Sequence, residues 1–205
     1  YNLVERYVNN FFQFRRKKMH IDFGAGYDAD VLFQRGFRKF PEFEIIVGID
    51  RRQDFPSRFP EFFDFMEQYY TKVDNMWIQR VKPPFKFYDC YIQEDIRNDI
   101  DALVPADSWK CISTLEHVPE DEVHDFMKGI VSKVEVDSVG KFHIDLTDHK
   151  KYPPDPDNCF YHYENEEWGR ERNKHHVGLF LNRIRKPEWR EIIGQYFTFK
   201  EKMEE

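Results

Sequence analysis

The sequence predicts an α/β fold with a doubly wound, mostly parallel sheet. Apolar residues alternate along the chain between extended and helical spacing, as strands and helices in turn require. A short apolar strand runs into the glycine-rich turn Asp22–Gly26, and a second strand ends at Asp50, twenty-four residues after Gly26. A glycine-rich turn followed by a distant strand-end carboxylate is typical of sites for adenosine-containing cofactors.

The first half of the chain predicts two helices and two strands. Apolar residues recur at steps of three and four over residues 1–17, which predicts an N-terminal helix. Strands are expected at Met19 to Phe23 and at Ile45 to Ile49. Apolar and aromatic residues from Phe62 to Trp77 follow helical spacing and predict one long core helix, which Pro83 and Pro84 end.

The second half predicts further strands separated by helices. A proline followed by acidic residues at Pro119 predicts the start of one helix, and Pro187 predicts the start of another. The strands are expected at 85–91, 110–113, 140–146 and 196–199. A complete sheet of seven strands needs one more, for which Gly178 to Asn182 is the candidate.

The residues after Gly26 indicate which cofactor fits. A dinucleotide site needs a third glycine beside the pyrophosphate, and Ala29 stands at that place with Asp28 before it. A carboxylate repels a pyrophosphate but tolerates a ligand that carries a sulfonium and an ammonium group. The turn therefore favours S-adenosylmethionine over NAD.

With these residues the chain resembles the class I S-adenosylmethionine-dependent methyltransferases. Four segments, in the family's order and spacing, carry the resemblance: Ile21–Gly26, Val47–Asp50, Gln93–Ile96 and Cys111–Pro119. The chain departs from the family at Asp28, where most members have a glycine. The resemblance implies a Rossmann-like sheet of six to seven strands with helices on both faces, and a methyltransferase activity.

The same resemblance implies the cofactor site. Asp22 to Gly26 would face the methionine part, Asp50 the ribose, and Asp95 with Ile96 the adenine. An alternative for Asp95 is a capping role for the short segment that follows it. The residues expected at the cofactor are Asp22, Gly24, Ala25, Gly26, Asp50, Arg51, Asp95, Ile96 and Ser113.

Candidate catalytic residues follow the fourth and fifth predicted strands, whose ends lie side by side in such a sheet. His149 is predicted to be the base for an acceptor hydroxyl and His117 is the second choice, because neutral imidazole suits that role near neutral pH. Asp148 or Glu116 would orient the ring. The alternative for Glu116 and His117 is a structural one, in which they begin a helix and bond its backbone.

The same strand ends carry side chains of the types that ligate metal ions. Ser113 to His117 resembles a Glu-x-x-Glu-His motif of metal-dependent methyltransferases, but serine replaces the first glutamate and removes a ligand. We therefore predict no required metal, although Glu116, His117, Asp145, Asp148 and His149 could converge.

The acceptor is predicted from the residues after Asp107. Leu-Glu-His-Val, Asp-Leu-Thr-Asp-His and an aromatic loop within 150–186 resemble bacterial methyltransferases found beside sugar and glycan genes. O-methylation of a saccharide or another small polar acceptor is the leading hypothesis, with Asn182 or Arg183 suited to hydroxyl or phosphate groups. The alternatives are an RNA methyltransferase and a degenerate cofactor-binding interaction module.

Composition sets the remaining limits. A chain of 205 residues, 40% hydrophobic, is expected to form a single domain over residues 1–205. Three scattered cysteines predict a reducing compartment, the cytoplasm, and neither a membrane span nor a signal peptide is visible. The net charge of -7 disfavours a nucleic-acid partner, although basic clusters at Arg15–Lys18 and Arg183–Lys186 leave it open. The sequence predicts no oligomeric state.

Overall fold

The computed structural model describes residues 18–26, 45–51, 60–84, 87–100, 103, 105–146 and 181–200. The predicted N-terminal helix over 1–17 lies outside the described residues, as do His149, Asp148 and most of the predicted acceptor loop over 150–186. Of the candidate strand Gly178 to Asn182, only Leu181 and Asn182 are described, and neither belongs to a strand.

The described residues form one sheet of seven strands in the order β3-β4-β5-β2-β1-β6-β7. The strands are β1 Met19–Phe23, β2 Ile45–Ile49, β3 Tyr70–Val73, β4 Met76–Gln79, β5 Cys90–Ile92, β6 Ala106–Ile112 and β7 Val134–His143. Strands β5, β2, β1, β6 and β7 are parallel to one another. Strand β4 pairs antiparallel with β5 on one side and with β3 on the other.

The order of the parallel strands confirms the predicted doubly wound, Rossmann-like fold. The first strand, β1, lies inside the sheet, the next parallel strands β2 and β5 follow on one side of it, and β6 and β7 follow on its other side. The direction of winding therefore reverses between β1 and β6. In open parallel sheets such a reversal opens a crevice at the carboxyl ends of the strands, where ligands bind.

Helices cover both faces of this sheet. On one face, Ile46 packs with Phe62 and Met66 of helix α1, Pro60–Tyr69. On the opposite face, the core contains Met127 of α2, Val123–Val131, and Trp189 of α3, Lys186–Tyr196. Strands buried on both sides carry continuous apolar runs, as β2 does with Ile-Ile-Val-Gly-Ile. None of the helices in the described segments combines the length and apolar character of a membrane span.

The predicted long helix from Phe62 to Trp77 is wrong in its second half. The helix ends at Tyr69, and the chain continues as the β3–β4 hairpin with a two-residue turn at Asp74 and Asn75. Asp74 has a φ of 52°, a conformation that aspartate and asparagine tolerate in hairpin turns. The residues from Tyr70 onward are rich in aromatic and β-branched side chains, which favour strands.

The strand predicted at Tyr196 to Phe199 is also wrong. Helix α3 continues through Tyr196, and residues 197–200 have no regular secondary structure. The Phe197 ring packs on Trp109 and Phe142, with ring centroids 5.0 and 5.6 Å away. Phe197 is therefore apolar because it packs against the sheet, and it does not pair with a strand.

The other predicted strands exist with different bounds. The third was expected at 85–91 and is Cys90–Ile92, and the fourth was expected at 110–113 and is Ala106–Ile112. The fifth was expected at 140–146 and begins earlier, as Val134–His143. Its first half, Val-Glu-Val-Asp-Ser, is mostly exposed and has only two apolar residues, so the apolar signal by which strands are found is short there.

Candidate active site

The glycine turn closes onto the end of the neighbouring strand. The backbone N–H groups of Gly24 and Ala25 both donate to the carbonyl of Ile49, at 2.9 and 3.1 Å. The next amide of β2, that of Asp50, donates to Ile92 of β5 at 3.0 Å. The carboxyl ends of three adjacent strands are thereby tied together around one short turn.

Asp50 lies against this turn, as its sequence position predicts. The Gly26 N–H donates to Asp50 Oδ2 at 2.8 Å, and the hydroxyl of Tyr91 donates to the Gly26 carbonyl at 2.8 Å. Gly26 has a φ of 75° and is therefore held in a left-handed conformation from both sides. The half-buried Asp50 carboxylate stands at the carboxyl edge of the sheet, next to the backbone of Gly26.

Gly24 is required by a neighbour that the sequence did not indicate. Its φ is 69°, and a Cβ at this position would lie 2.1 Å from Oγ1 of Thr114. Thr114 follows β6 and donates from the same hydroxyl to the Ile112 carbonyl at 3.0 Å. The turns after β1 and β6 therefore interlock, and Thr114 joins the candidate site. The available sequence signal was the polar pair Ser113 and Thr114, which follows a parallel strand.

Asp22 is buried within one face of the sheet, with 2% of its surface exposed. Its Oδ2 accepts a hydrogen bond from the Tyr88 hydroxyl at 2.5 Å and pairs with Lys110 Nζ at 2.9 Å. Because Lys110 lies opposite Asp22 on β6, the ion pair fastens β1 to β6 at the switch point. The Asp22 side chain is therefore engaged inside the sheet, and the contact of the turn with the methionine part stays a prediction for its backbone.

His20, two residues before Asp22 on the same face, predicts a pH-dependent stability. Burial lowers its pKa from 6.5 to about 4, with Lys110 acting in the same direction and Asp22 opposing. Between those values the unfolded chain binds a proton that the folded chain does not. The contribution of neutral His20 to the free energy of unfolding is therefore complete above pH 6.5 and is lost as the pH falls towards 4.

We expect His20 to account for about 2 kcal/mol of lost stability between pH 7.5 and pH 5.0. Urea unfolding of the wild type and of His20→Gln at both pH values measures it. The variant should lose less stability over this interval, by that amount. Equal losses in the two proteins would show that His20 does not titrate as described.

Asp95 is engaged by two arginines. Arg97 binds it through both oxygens, with Nε 2.8 Å from Oδ1 and Nη2 2.6 Å from Oδ2, and Arg51 Nε lies 3.2 Å from Oδ2. Glu122 accepts from Arg97 at 2.6 Å and completes the network. Burial raises the pKa of Asp95, but the hydrogen bonds and charge of Arg97 outweigh it, and the pKa lies below its usual value.

The turn after β5 agrees with the capping alternative for Asp95. Asp95 Oδ1 accepts a hydrogen bond from the Arg97 backbone N–H at 3.0 Å, and the Asp95 carbonyl accepts one from the Asn98 backbone N–H. Ile96 turns its side chain into the core, where 5% of its surface is exposed, and its carbonyl accepts from Lys133 Nζ at 2.7 Å. Of the two predicted adenine residues, Asp95 is thus nearer the surface than Ile96, and Arg51, predicted at the cofactor, is exposed beside it.

Ser113 and His143 meet at the ends of β6 and β7. The Ser113 N–H donates to the His143 carbonyl at 2.9 Å, and Ser113 Oγ lies 3.4 Å from His143 Nδ1. Both residues are exposed, and Ser113 has a φ of 48°. The sequence indicated Ser113, whereas His143 is not among the site residues that it predicts.

Glu116 and His117 lie in a short 3-10 turn, Leu115–His117. Glu116 is 2% exposed, and its Oε1 accepts the backbone N–H of Asp145 at 3.3 Å. The His117 N–H donates to the Thr114 carbonyl at 3.0 Å, and its side chain is half-buried. Burial of Glu116 and its backbone contact agree with the structural alternative. His149 and Asp148, the first-choice base and its partner, lie outside the described residues.

The interpretation of Asn182 as an acceptor-binding residue is wrong. Its amide donates to the carbonyls of Leu115 and Val118 at 2.7 and 2.8 Å, and its Oδ1 accepts from the Ile184 N–H at 3.3 Å. With 3% of its surface exposed, Asn182 is used entirely to hold the turn after β6. The sequence alone does not distinguish an exposed asparagine that binds a sugar from a buried asparagine that holds a turn.

A metal centre is not formed within the described segments, where no three histidine, cysteine or acidic side chains converge. Two of the five candidate ligands, Asp148 and His149, lie outside the described segments. The absence of a required metal therefore stays a prediction.

Comparison with known proteins found solved methyltransferase structures to which this chain is similar at low sequence identity. No protein-family model and no curated protein matches the chain. The methyltransferase domain of bacterial CtHen1-CN is similar at 16% identity and a TM-score of 0.46, over 95% of this chain and 86% of that one. A sugar N-methyltransferase of Streptoalloteichus is similar at 12% identity and a TM-score of 0.36, over 70% and 48%.

A third similar structure is a complex of the Trm112 methyltransferase activator of Haloferax volcanii with its methyltransferase partner. The identity is 12% and the TM-score 0.44, over 93% of this chain. This chain spans 66% of that protein's length and less still of the sugar N-methyltransferase.

Proposed function

We propose that this protein is an S-adenosylmethionine-dependent methyltransferase. The observation that carries the proposal is the contact of the Asp50 carboxylate with the Gly26 N–H, at the carboxyl edge of the sheet beside the winding reversal. A carboxylate at the tip of the second strand can accept both hydroxyls of a ribose, and a left-handed glycine turn lets backbone approach a ligand closely.

The residues at this edge fit S-adenosylmethionine. Asp50 would hold the ribose, the backbone of Gly24 to Gly26 would line the methionine part, and Arg51 with Asp95 would border the adenine. Bound there, S-adenosylmethionine supplies an electrophilic methyl group. The chain has only to orient an acceptor oxygen in line with it, exclude water and remove a proton.

Calorimetric titration with S-adenosylmethionine, S-adenosylhomocysteine and NAD tests the proposal. We expect the first two to bind at a single site with a Kd on the order of micromolar, and NAD to give no heat under the same conditions. Binding of NAD in their place would assign the turn to a dinucleotide. No binding of any of the three at millimolar concentration would leave only the interaction-module alternative.

For the acceptor, we propose a saccharide or another small polar molecule that is methylated on oxygen. Support comes from the exposed hydroxyl and imidazole of Ser113 and His143 at the edge where an acceptor would lie, and from a net charge of -7, which disfavours RNA. Binding to generic RNA that weakens steeply with added salt would favour the RNA alternative instead.

The cytoplasm is the proposed compartment. Cys90 and Cys111 are free and fully buried, and burial raises the pKa of both thiols. Buried thiols with raised pKa values are inert core residues, as expected of a protein that folds under reducing conditions.

A further inference from the structure

We propose that Ser113 and His143 line the acceptor subsite. In this proposal His143 is the base that takes the proton of the acceptor hydroxyl, and Ser113 positions the His143 ring. This inference rests on the proposed methyltransferase function and names the residues that act on the acceptor. The sequence had predicted His149 for this role, with His117 second.

The position of the pair on the sheet supports the proposal. Ile112 and His143 are partners in the parallel β6–β7 pairing, so Ser113 and His143 stand together at the carboxyl edge. The residue after Ser113 is Thr114, whose side chain fills the space above Gly24 in the candidate cofactor turn. A continuous line of contacts therefore runs from Asp50 through Gly26 and Gly24 to Ser113 and His143.

The backbone of Ser113 gives a second, independent indication. Its φ of 48° is uncommon for a residue with a side chain and costs free energy that the surrounding structure must offset. Such conformations concentrate at active sites, where they aim a side chain. Here the strained turn presents Oγ to His143 Nδ1 at 3.4 Å while the Ser113 amide is held by the His143 carbonyl at 2.9 Å.

The chemistry follows from this contact. If Nδ1 donates to Ser113 Oγ, the other ring nitrogen, Nε2, is left without a proton and can accept one. As the acceptor oxygen bonds to the methyl carbon, the carbon–sulfur bond breaks and its electron pair stays on sulfur. The hydroxyl proton passes to Nε2 and later to water, so that the products are a methyl ether and neutral S-adenosylhomocysteine.

Nuclear magnetic resonance of the wild type with S-adenosylmethionine labelled with 13C in the methyl group tests the location. A base within reach of an acceptor oxygen that is itself in near-attack position lies within about 6 Å of the methyl carbon. We therefore expect a cross-peak between the methyl protons and the His143 ring, which His143→Gln removes. His20 serves as the internal control, because it is buried beside Ser108 near the amino-terminal end of β1 and should give no cross-peak.

The 15N shifts of the same ring test the base itself, a readout that a purely structural contact would not require. We expect the proton on Nδ1 in the wild type and a change towards the Nε2-protonated form in Ser113→Ala. A methyl cross-peak to His117 or another histidine in place of His143, or a wild-type proton on Nε2, would overturn the proposal. Failure of the labelled cofactor to bind would instead overturn the proposed function, and this inference with it.

Discussion

Replacing Asp50 with alanine is expected to weaken the binding of S-adenosylhomocysteine at least about 30-fold, because two charge-assisted hydrogen bonds to the ribose are lost. The change also removes the acceptor of the Gly26 N–H at 2.8 Å and loosens the glycine turn. Calorimetric titration of the variant and the wild type measures the ratio of the two Kd values.

Asp107→Ala is a matched control for this change. Asp107 Oδ2 accepts the backbone N–H of Met19 at 2.8 Å, a contact of the same kind at the opposite, amino-terminal end of β1. Both variants are expected to lose about 1 to 3 kcal/mol of stability, but Asp107→Ala should bind the ligand as the wild type does. Equal affinities in Asp50→Ala and Asp107→Ala would remove Asp50 from the cofactor site.

Replacing Gly24 with alanine is expected to destabilise the fold by about 2 to 5 kcal/mol. Left-handed backbone costs an alanine roughly 1 to 2 kcal/mol, and the added methyl group overlaps Thr114, a type of overpacking that costs roughly 1 to 3 kcal/mol more. This is a large part of the stability of an ordinary domain. Urea unfolding, compared through the midpoint and the slope, measures the loss.

Two further variants separate the causes. Gly194 lies exposed in α3, where the nearest atom to an added Cβ is 3.7 Å away, and Gly194→Ala should leave stability unchanged or raise it by up to about 1 kcal/mol. Thr114→Gly combined with Gly24→Ala should recover the part that comes from overlap, which a double-mutant cycle isolates. Additive effects of Gly24→Ala and Thr114→Gly would contradict the interlocking of the two turns.

The sequence predicted the centre of the fold better than its margins, for a physical reason. Strands β1 and β2 are buried on both faces, so their bounds follow directly from continuous apolar runs. The hairpin after Tyr69 was missed because alternating apolar residues in two short strands also satisfy a helical spacing. The turn residue Asp74, which adopts a positive φ, and the β-branched and aromatic side chains after Tyr69 separate the two patterns.

The site shows the same division. Asp50 and Gly26 were brought together by their sequence spacing alone, because strand ends and turns are local features. Two other contacts, Gly24 with Thr114 and Ser113 with His143, join residues that are far apart in the chain. The residues next to them in the sequence do not indicate such contacts. Asn182 was misjudged because composition does not show whether an amide faces solvent or the backbone of a buried turn.

The most direct test of the central claim is a crystal structure of the protein in complex with S-adenosylhomocysteine. We predict that the two ribose hydroxyls lie about 3 Å from the Asp50 carboxylate oxygens, with the homocysteine sulfur on the side of the turn nearest Thr114. A ribose bound away from Asp50, or a ligand that does not touch the backbone of Gly24 to Gly26, would contradict it.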